Sequence, residues 1–248
     1  AGTALIRAEP SPSTRPGTAS AGRPLGSLDR MRMETGVCVL HLFCHPTDQV
    51  EIAAVDAAVA AACEHDDTQV ITAALLGHKG DLAVMGISRD VNRLRTLQTA
   101  LRRAGLAIVD SYLSITEVSE YATGLPEEML NARLYPQLPP DDKPAFCFYP
   151  MSKRREAHAN WYATPYGERR EMMMEHGSSG RKFAGKIVQL VTGSTGLDDY
   201  EWGVTLFGTN LEVIKDVVYT LRYDKGSALY GEFGTFYVGY LAYPSEVL

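Results

Sequence analysis

The span "AFCFYPMSKRR" (145–155) brings Tyr149, Met151 and Lys153 together where an apolar run breaks at Pro150 and meets a knot of cations. A phenol, a thioether and a point positive charge within five residues could serve a redox or anion-binding site. The plain alternative is a tyrosine packing at a strand end beside solvated lysine and arginine. His176 closes the Met-rich segment "EMMMEHG". It reads either as an exposed histidine favoured by a helix C-terminus or as a metal ligand. Met172, Met173 and Met174 before it would line an adaptable cavity for a planar ligand or fill ordinary core. Gln189 in "KIVQLVT" alternates with Ile187 and Val191, so a neutral amide sits on an otherwise apolar strand face. That face is either partly solvated or lines a pocket needing one hydrogen-bonding group. Among the cations Arg133, Lys153, Arg154, Arg155, Arg181, Lys182 and Arg222, most read as surface charge, and a subset could clamp carboxylates.

Other chemistries find less support. "CVLHLFCH" offers Cys38, His41, Cys44 and His45, but as a strand it sends both cysteines to one face and both histidines to the other. Four such ligands do not converge on a tetrahedral zinc. No serine-histidine-aspartate order, P-loop or GxGxxG is present, and the Gly-rich "GSSGRKFAG" follows a helix rather than joining a strand to one. A formal net charge of −6 argues against general nucleic-acid binding. No apolar run approaches the roughly 20 residues of a membrane span. The four cysteines form no CxxC pair, which favours a reducing compartment, read here as the cytoplasm.

The elements that must position these residues follow one order twice. Residues 1–34, rich in Arg, Ser and Pro, read as a disordered leader outside the fold. Over 35–122 the chain alternates as a strand from Val37 to Phe43, then shows helical spacing of Ile52, Val55, Val59 and Ala62 behind an Asp48 cap. A hairpin follows around "HKG", then a helix with Val91, Leu94, Leu97 or Gln98, and Leu101 inward, closed by Gly105, and then a last strand. Residues 123–144 read as a Pro-rich linker. Over 145–248 the order returns: strand "AFCFY"; a helix capped by Thr164, opened by Pro165 and stopped at Gly177; two strands; a helix with Leu211, Ile214, Val218 and Leu221 inward; and strand "GTFYVGYLAY". The expected fold class is α+β, two ferredoxin-like β-α-β-β-α-β modules with antiparallel sheets. Each sheet keeps one face free of helices, to be buried against another sheet within the chain or between chains.

The second half resembles the chlorite dismutase superfamily, specifically its coproheme decarboxylase branch. The carrying residues are "FYPMSKRR", "NWYATPYGERREMMMEHGSSGRKFAGKIVQLVTGS", "LDDYEWGVTLF" and "LRYDKGSALYGEFGTFYVG", nearly all of 145–239. "GHKGDLAVMGISRD" (77–90) and "SYLSITEVSEY" (111–121) extend the resemblance into the first half. It implies a homopentamer with a porphyrin in each second module and a structural first module. The implied reaction converts iron coproporphyrin III to haem b, turning two propionates into vinyls through a three-propionate intermediate, with hydrogen peroxide as oxidant.

By position in the motifs, the resemblance implies His176 as the iron ligand, Tyr149 as the redox tyrosine, Lys153 as the lysine engaging a propionate, and Gln189 as the distal residue. It implies Arg133, Arg222, Ser227 and Tyr112 as propionate anchors, and Met151 and Trp202 as pocket wall. True chlorite dismutases carry a distal arginine where this chain has Gln189, and a neutral amide lacks the cation that would hold a chlorite-derived anion. A chlorite-degrading peroxidase and a non-catalytic haem carrier are the rival readings. Tyr149 and Lys153 speak against the carrier, which needs neither.

Overall fold

The computed structural model describes residues 31–122 and 124–248. The first module runs β1 (Cys38–Pro46), α1 (Ile52–Cys63), β2 (Thr68–Leu75), β3 (Leu82–Ser88), α2 (Val91–Arg103) and β4 (Leu106–Thr116). After α3 (Glu127–Leu134) the second module repeats that order. It runs β5 (Ala145–Lys153), a small hairpin of β6 (Arg155–Glu156) and β7 (Ala159–Asn160), α4 (Tyr166–Arg181), β8 (Ile187–Gly193), β9 (Trp202–Gly208) and α5 (Leu211–Leu221). The short α6 (Lys225–Ala228), β10 (Gly231–Phe233), β11 (Tyr237–Leu241) and α7 (Pro244–Val247) complete it.

The two sheets do not stack as separate layers. They join at both edges, β11 to β2 and β4 to β8, and the β5–β9 pairing closes the circuit β5-β11-β2-β3-β1-β4-β8-β9. The helix-free faces become the inside of a barrel, filled by Val39, Phe43, Met85, Phe146, Phe148, Leu190 and Phe207 from both modules. Alternation along β1 is as read from the sequence. Leu42 and Cys44 pack with Val55, Leu97 and Leu101 of α1 and α2, while Val39 and Phe43 face the interior. The candidate cluster of "CVLHLFCH" is dispersed accordingly. His41 is buried inside, its Nε2 3.0 Å from the Thr205 hydroxyl. Burial pushes its imidazole pKa down to about 3, so it is neutral. His45 instead meets Asp81 at 2.6 Å. At the β11–β2 seam the backbones approach so closely that a Cβ on Gly239 would lie 1.8 Å from the Ala74 carbonyl oxygen, so only glycine fits there.

Several expectations are corrected. Asp48 does not cap α1; Glu51 holds that position, because Thr47 ties the preceding turn to the Gly105 carbonyl. Thr164 spends its hydroxyl on the Asn160 carbonyl, and Pro165, not Thr164, takes the N-cap position of α4. Gly177 does not stop α4, which runs on to Arg181. The weak helix formers Ser178, Ser179 and Gly180 stay helical because the Ser179 hydroxyl donates to buried Asp224 at 2.7 Å. On α5, Val217 points inward and Leu211 is exposed. The linker contains α3, the last strand is shortened to β11, and a separate β10 precedes the expected strand. Of the leader, residues 1–30 lie outside the described residues, whereas Met33 and Met31 exchange backbone hydrogen bonds with Arg89 and Val91 of the first module.

Candidate active site

The outer face of the second sheet, opposite the barrel interior, gathers most of the chemistry. In an antiparallel ladder directly opposed residues share a face. The register sets Gln189 beside Leu206 and Cys147, Val191 beside Val204 and Tyr149, and Gly193 beside Trp202 and Met151. The Tyr149 half of this face is sealed by α5 through Ile214, Val217 and Leu221. The β8 half is left open, with Gln189 and Val191 exposed. Helix α4 packs on α5 and α6 rather than on the sheet, so it stands off that open strip.

His176 lies within α4, with Nδ1 3.1 Å from a carboxylate oxygen of buried Asp224. Burial lowers its pKa and Asp224 opposes that fall. A neutral imidazole carrying its proton on Nδ1 would donate to Asp224 and leave Nε2 as a ligand atom, the arrangement that orients metal-binding histidines. Asp224, held in turn by Ser179, is a candidate-site residue that sequence reasoning passed over. It lies in "LRYD", but only the fold of α6 brings it against α4.

Lys153 is buried at the end of β5. Its Nζ donates to the Gly226 carbonyl at 2.6 Å and sits 4.5 Å from the Trp161 ring centre. Burial pushes its pKa down to about 8, and the nearby Glu201 carboxylate works against that. Glu201 also accepts the Lys153 backbone N–H at 2.8 Å, fixing the strand end. Ser227 is buried on α6, one residue beyond the carbonyl that Lys153 holds.

Tyr149 is buried, its ring stacked at 4.4 Å on Phe236 and tilted at 5.9 Å against Phe233. Burial drives its phenol pKa well above the ordinary value, with Arg222 as a small opposing influence. The Arg222 guanidinium lies 3.7 Å from the Phe233 ring centre. Met151 and Trp202 are half-buried neighbours across the β5–β9 pair, and the Trp202 indole N–H donates to Glu117 at 3.2 Å.

Two expected anchors stand elsewhere. Tyr112 faces the barrel interior, opposite His41 and against Phe148, and its hydroxyl is bonded to Ser194. It lies on the wrong side of the sheet for the outer face because strand alternation fixes it there. Arg133 is exposed on α3, with no ion pair or hydrogen bond among the described residues. The same segment supplies a better-placed phenol. Tyr121 stacks on Tyr166 and meets the edge of Trp161, the ring beneath Lys153. Its hydroxyl is buried without a well-formed hydrogen bond among the described residues. Sequence could have flagged it only as the second tyrosine of "SYLSITEVSEY", beyond the strand and so free of its alternation.

Comparison with known proteins bears on the family and the fold. Residues 49–242 match the chlorite dismutase family. A curated coproheme decarboxylase of Staphylococcus carnosus (strain TM300) is 43% identical over 186 residues, 70% of this chain and 73% of that protein. A haem-binding protein of Thermus thermophilus superposes with a TM-score of 0.75 at 31% identity, covering 85% of this chain and 93% of that one. The chlorite dismutase of Candidatus Nitrospira defluvii in complex with imidazole shares the fold at a TM-score of 0.68 and 20% identity, over 87% of this chain and 94% of that one. With a stand-off helix presenting a carboxylate-backed histidine and a sheet face bearing a buried tyrosine and lysine, this chain belongs to the chlorite dismutase family.

Proposed function

We infer that this chain is a coproheme decarboxylase, converting iron coproporphyrin III to haem b. The observation that carries the reading is Tyr149 and Lys153 on one strand face, in a chain 43% identical to a protein of that activity. Each propionate that becomes a vinyl loses its carboxylate as carbon dioxide, one proton and two electrons. The bound iron, with hydrogen peroxide as the proposed two-electron oxidant, supplies the oxidising power.

The protein's residues hold and prepare the substrate. His176 binds iron through Nε2, with Asp224 keeping the ring oriented. Tyr149 would first give up an electron and its phenolic proton to the oxidant, and the resulting phenoxyl would then take a hydrogen atom from the propionate methylene attached to the ring, restoring the phenol. As the bond to the carboxyl carbon breaks, releasing carbon dioxide, a double bond forms between the two methylene carbons and the second electron passes to the same two-electron oxidant. Tyr149 is fit for hydrogen-atom rather than proton transfer because burial keeps the phenol protonated far above neutral pH. Lys153 exchanges the Gly226 carbonyl for a substrate carboxylate, with Ser227 and Tyr121 as neighbouring donors and Arg222 as a further cation. Tyr112 is not proposed as an anchor. Gln189, neutral and exposed on the open strip, hydrogen-bonds the incoming oxidant without acting as a base.

The same reading carries a homopentamer working in the reducing cytoplasm. Buried, unpaired Cys38, Cys44 and Cys147 suit a reducing compartment. Among the described residues no helix is long and apolar enough to cross a membrane. The deciding experiment gives the purified chain iron coproporphyrin III and hydrogen peroxide and follows product mass. Loss of two carboxyl groups is expected from the native chain and almost none from Tyr149→Phe, whereas oxidation without carbon dioxide loss would refute the reading.

A further inference from the structure

Tyr149 lies opposite an interruption in its neighbouring strand. β5 pairs with β11 as far as Phe148 and with β10 from Met151 onward, so Tyr149 and Pro150 face the looped-out residues 234–236. Pro150 makes the interruption tolerable, since it has no N–H to lose from a ladder, while its carbonyl still accepts the Gly234 N–H at 2.9 Å. The loop carries Phe236, whose ring lies 4.4 Å from that of Tyr149 with the two planes 20° apart. Phe233 closes the other side, itself under Arg222.

The loop is held from the first module. Lys79, between β2 and β3, donates its Nζ to the Phe236 carbonyl at 2.7 Å, and the Leu76 N–H donates to the Val238 carbonyl at 2.8 Å. Hence "GHKGDL", the least explained of the family-like motifs, touches the frame around Tyr149. We infer that Phe236 is a positioning residue for the Tyr149 phenol, and that Lys79 of the first module holds Phe236 in place. This rests on Tyr149 being the redox residue. Hydrogen-atom transfer falls steeply with donor–acceptor separation, so a phenol free to swing about its Cα–Cβ bond, the rotation that moves its hydroxyl, spends little time in reach of the propionate.

The test places 3-fluorotyrosine at position 149 in the full, substrate-free chain. A ring that neither swings nor flips gives fluorine resonances of fixed orientations, whereas a ring freed to swing gives one averaged line at a shifted position. The native chain should show the held pattern, Phe236→Ala and Phe236→Leu the averaged one, and Phe236→Tyr should restore it. Lys79→Ala should broaden the held pattern. With iron coproporphyrin III and peroxide, Phe236→Leu should lower kcat about tenfold with KM unchanged. Unchanged fluorine spectra in both Phe236→Ala and Phe236→Leu would overturn the positioning role whatever Tyr149 does. Undiminished haem b formation by Tyr149→Phe would overturn the catalytic premise while leaving the spectra as they are.

Discussion

The two modules share one topology and use it in opposite ways. In the first, α1 lies directly on β2 and both helices press apolar faces onto the sheet, so that Val55, Leu97 and Leu101 seal it against Leu42 and Val84. The alanine-rich α1 permits that close approach. In the second, the corresponding helix α4 packs on α5 and α6, and β8 keeps Gln189 and Val191 uncovered. A site is made here by withholding half of the packing that the fold normally supplies. That choice costs burial, which the longer α4 recovers by tying Ser179 and His176 to Asp224.

The comparison can be broken most forcibly at His176. His176→Ala should abolish or strongly weaken binding of iron coproporphyrin III, read by the porphyrin absorbance, with the melting temperature of the substrate-free protein little changed. Equal binding by the mutant would remove α4 from the site. Asp224→Asn keeps the shape but removes the charge behind the imidazole, and should lower iron affinity or turnover about 10- to 100-fold.

Lys153 gives the next effect, and its sign is fixed. With a pKa pushed down to about 8 by burial, it is cationic below that pH and neutral above it. Engagement of a carboxylate, and with it the second decarboxylation, should be lost as pH rises through about 8, leaving the three-propionate intermediate to accumulate. Glu201→Gln removes an influence that raises this pKa, so the loss should begin at lower pH; mass spectra of products across a pH series decide it. The smallest effect separates the two phenols. Tyr112→Phe, inside the barrel, should cost about 1 kcal/mol of stability and leave haem b formation within about twofold. Tyr121→Phe should act the other way, raising KM while leaving the unfolding temperature nearly unchanged.

The element order was legible because strand and helix periods differ, and alternation alone set His41 with Phe43 on the face opposite Cys38 and Cys44, while which face lines the barrel depends on the other strands. The extent of α4 was not, since Gly177 reads as a stop by local propensity and the bond from Ser179 to Asp224 joins residues far apart in sequence. Tyr112 was placed by its motif, whereas the β1–β4 register decides which face it occupies. Tyr149 and Lys153 were visible by residue type and spacing, but the break opposite Pro150 was not, because it belongs to another strand.

The closed circuit of eight strands has a consequence for association. An open sheet offers rows of unpaired amides that can recruit a further strand and seed fibres. Each strand of this ring has a neighbour on either side, although β4 and β8 meet only through the pairs Ile115 with Gly193 and Thr116 with Thr192. Any assembly of copies is therefore expected to form mainly through side chains rather than a shared sheet, and dilution should part it into intact folded subunits.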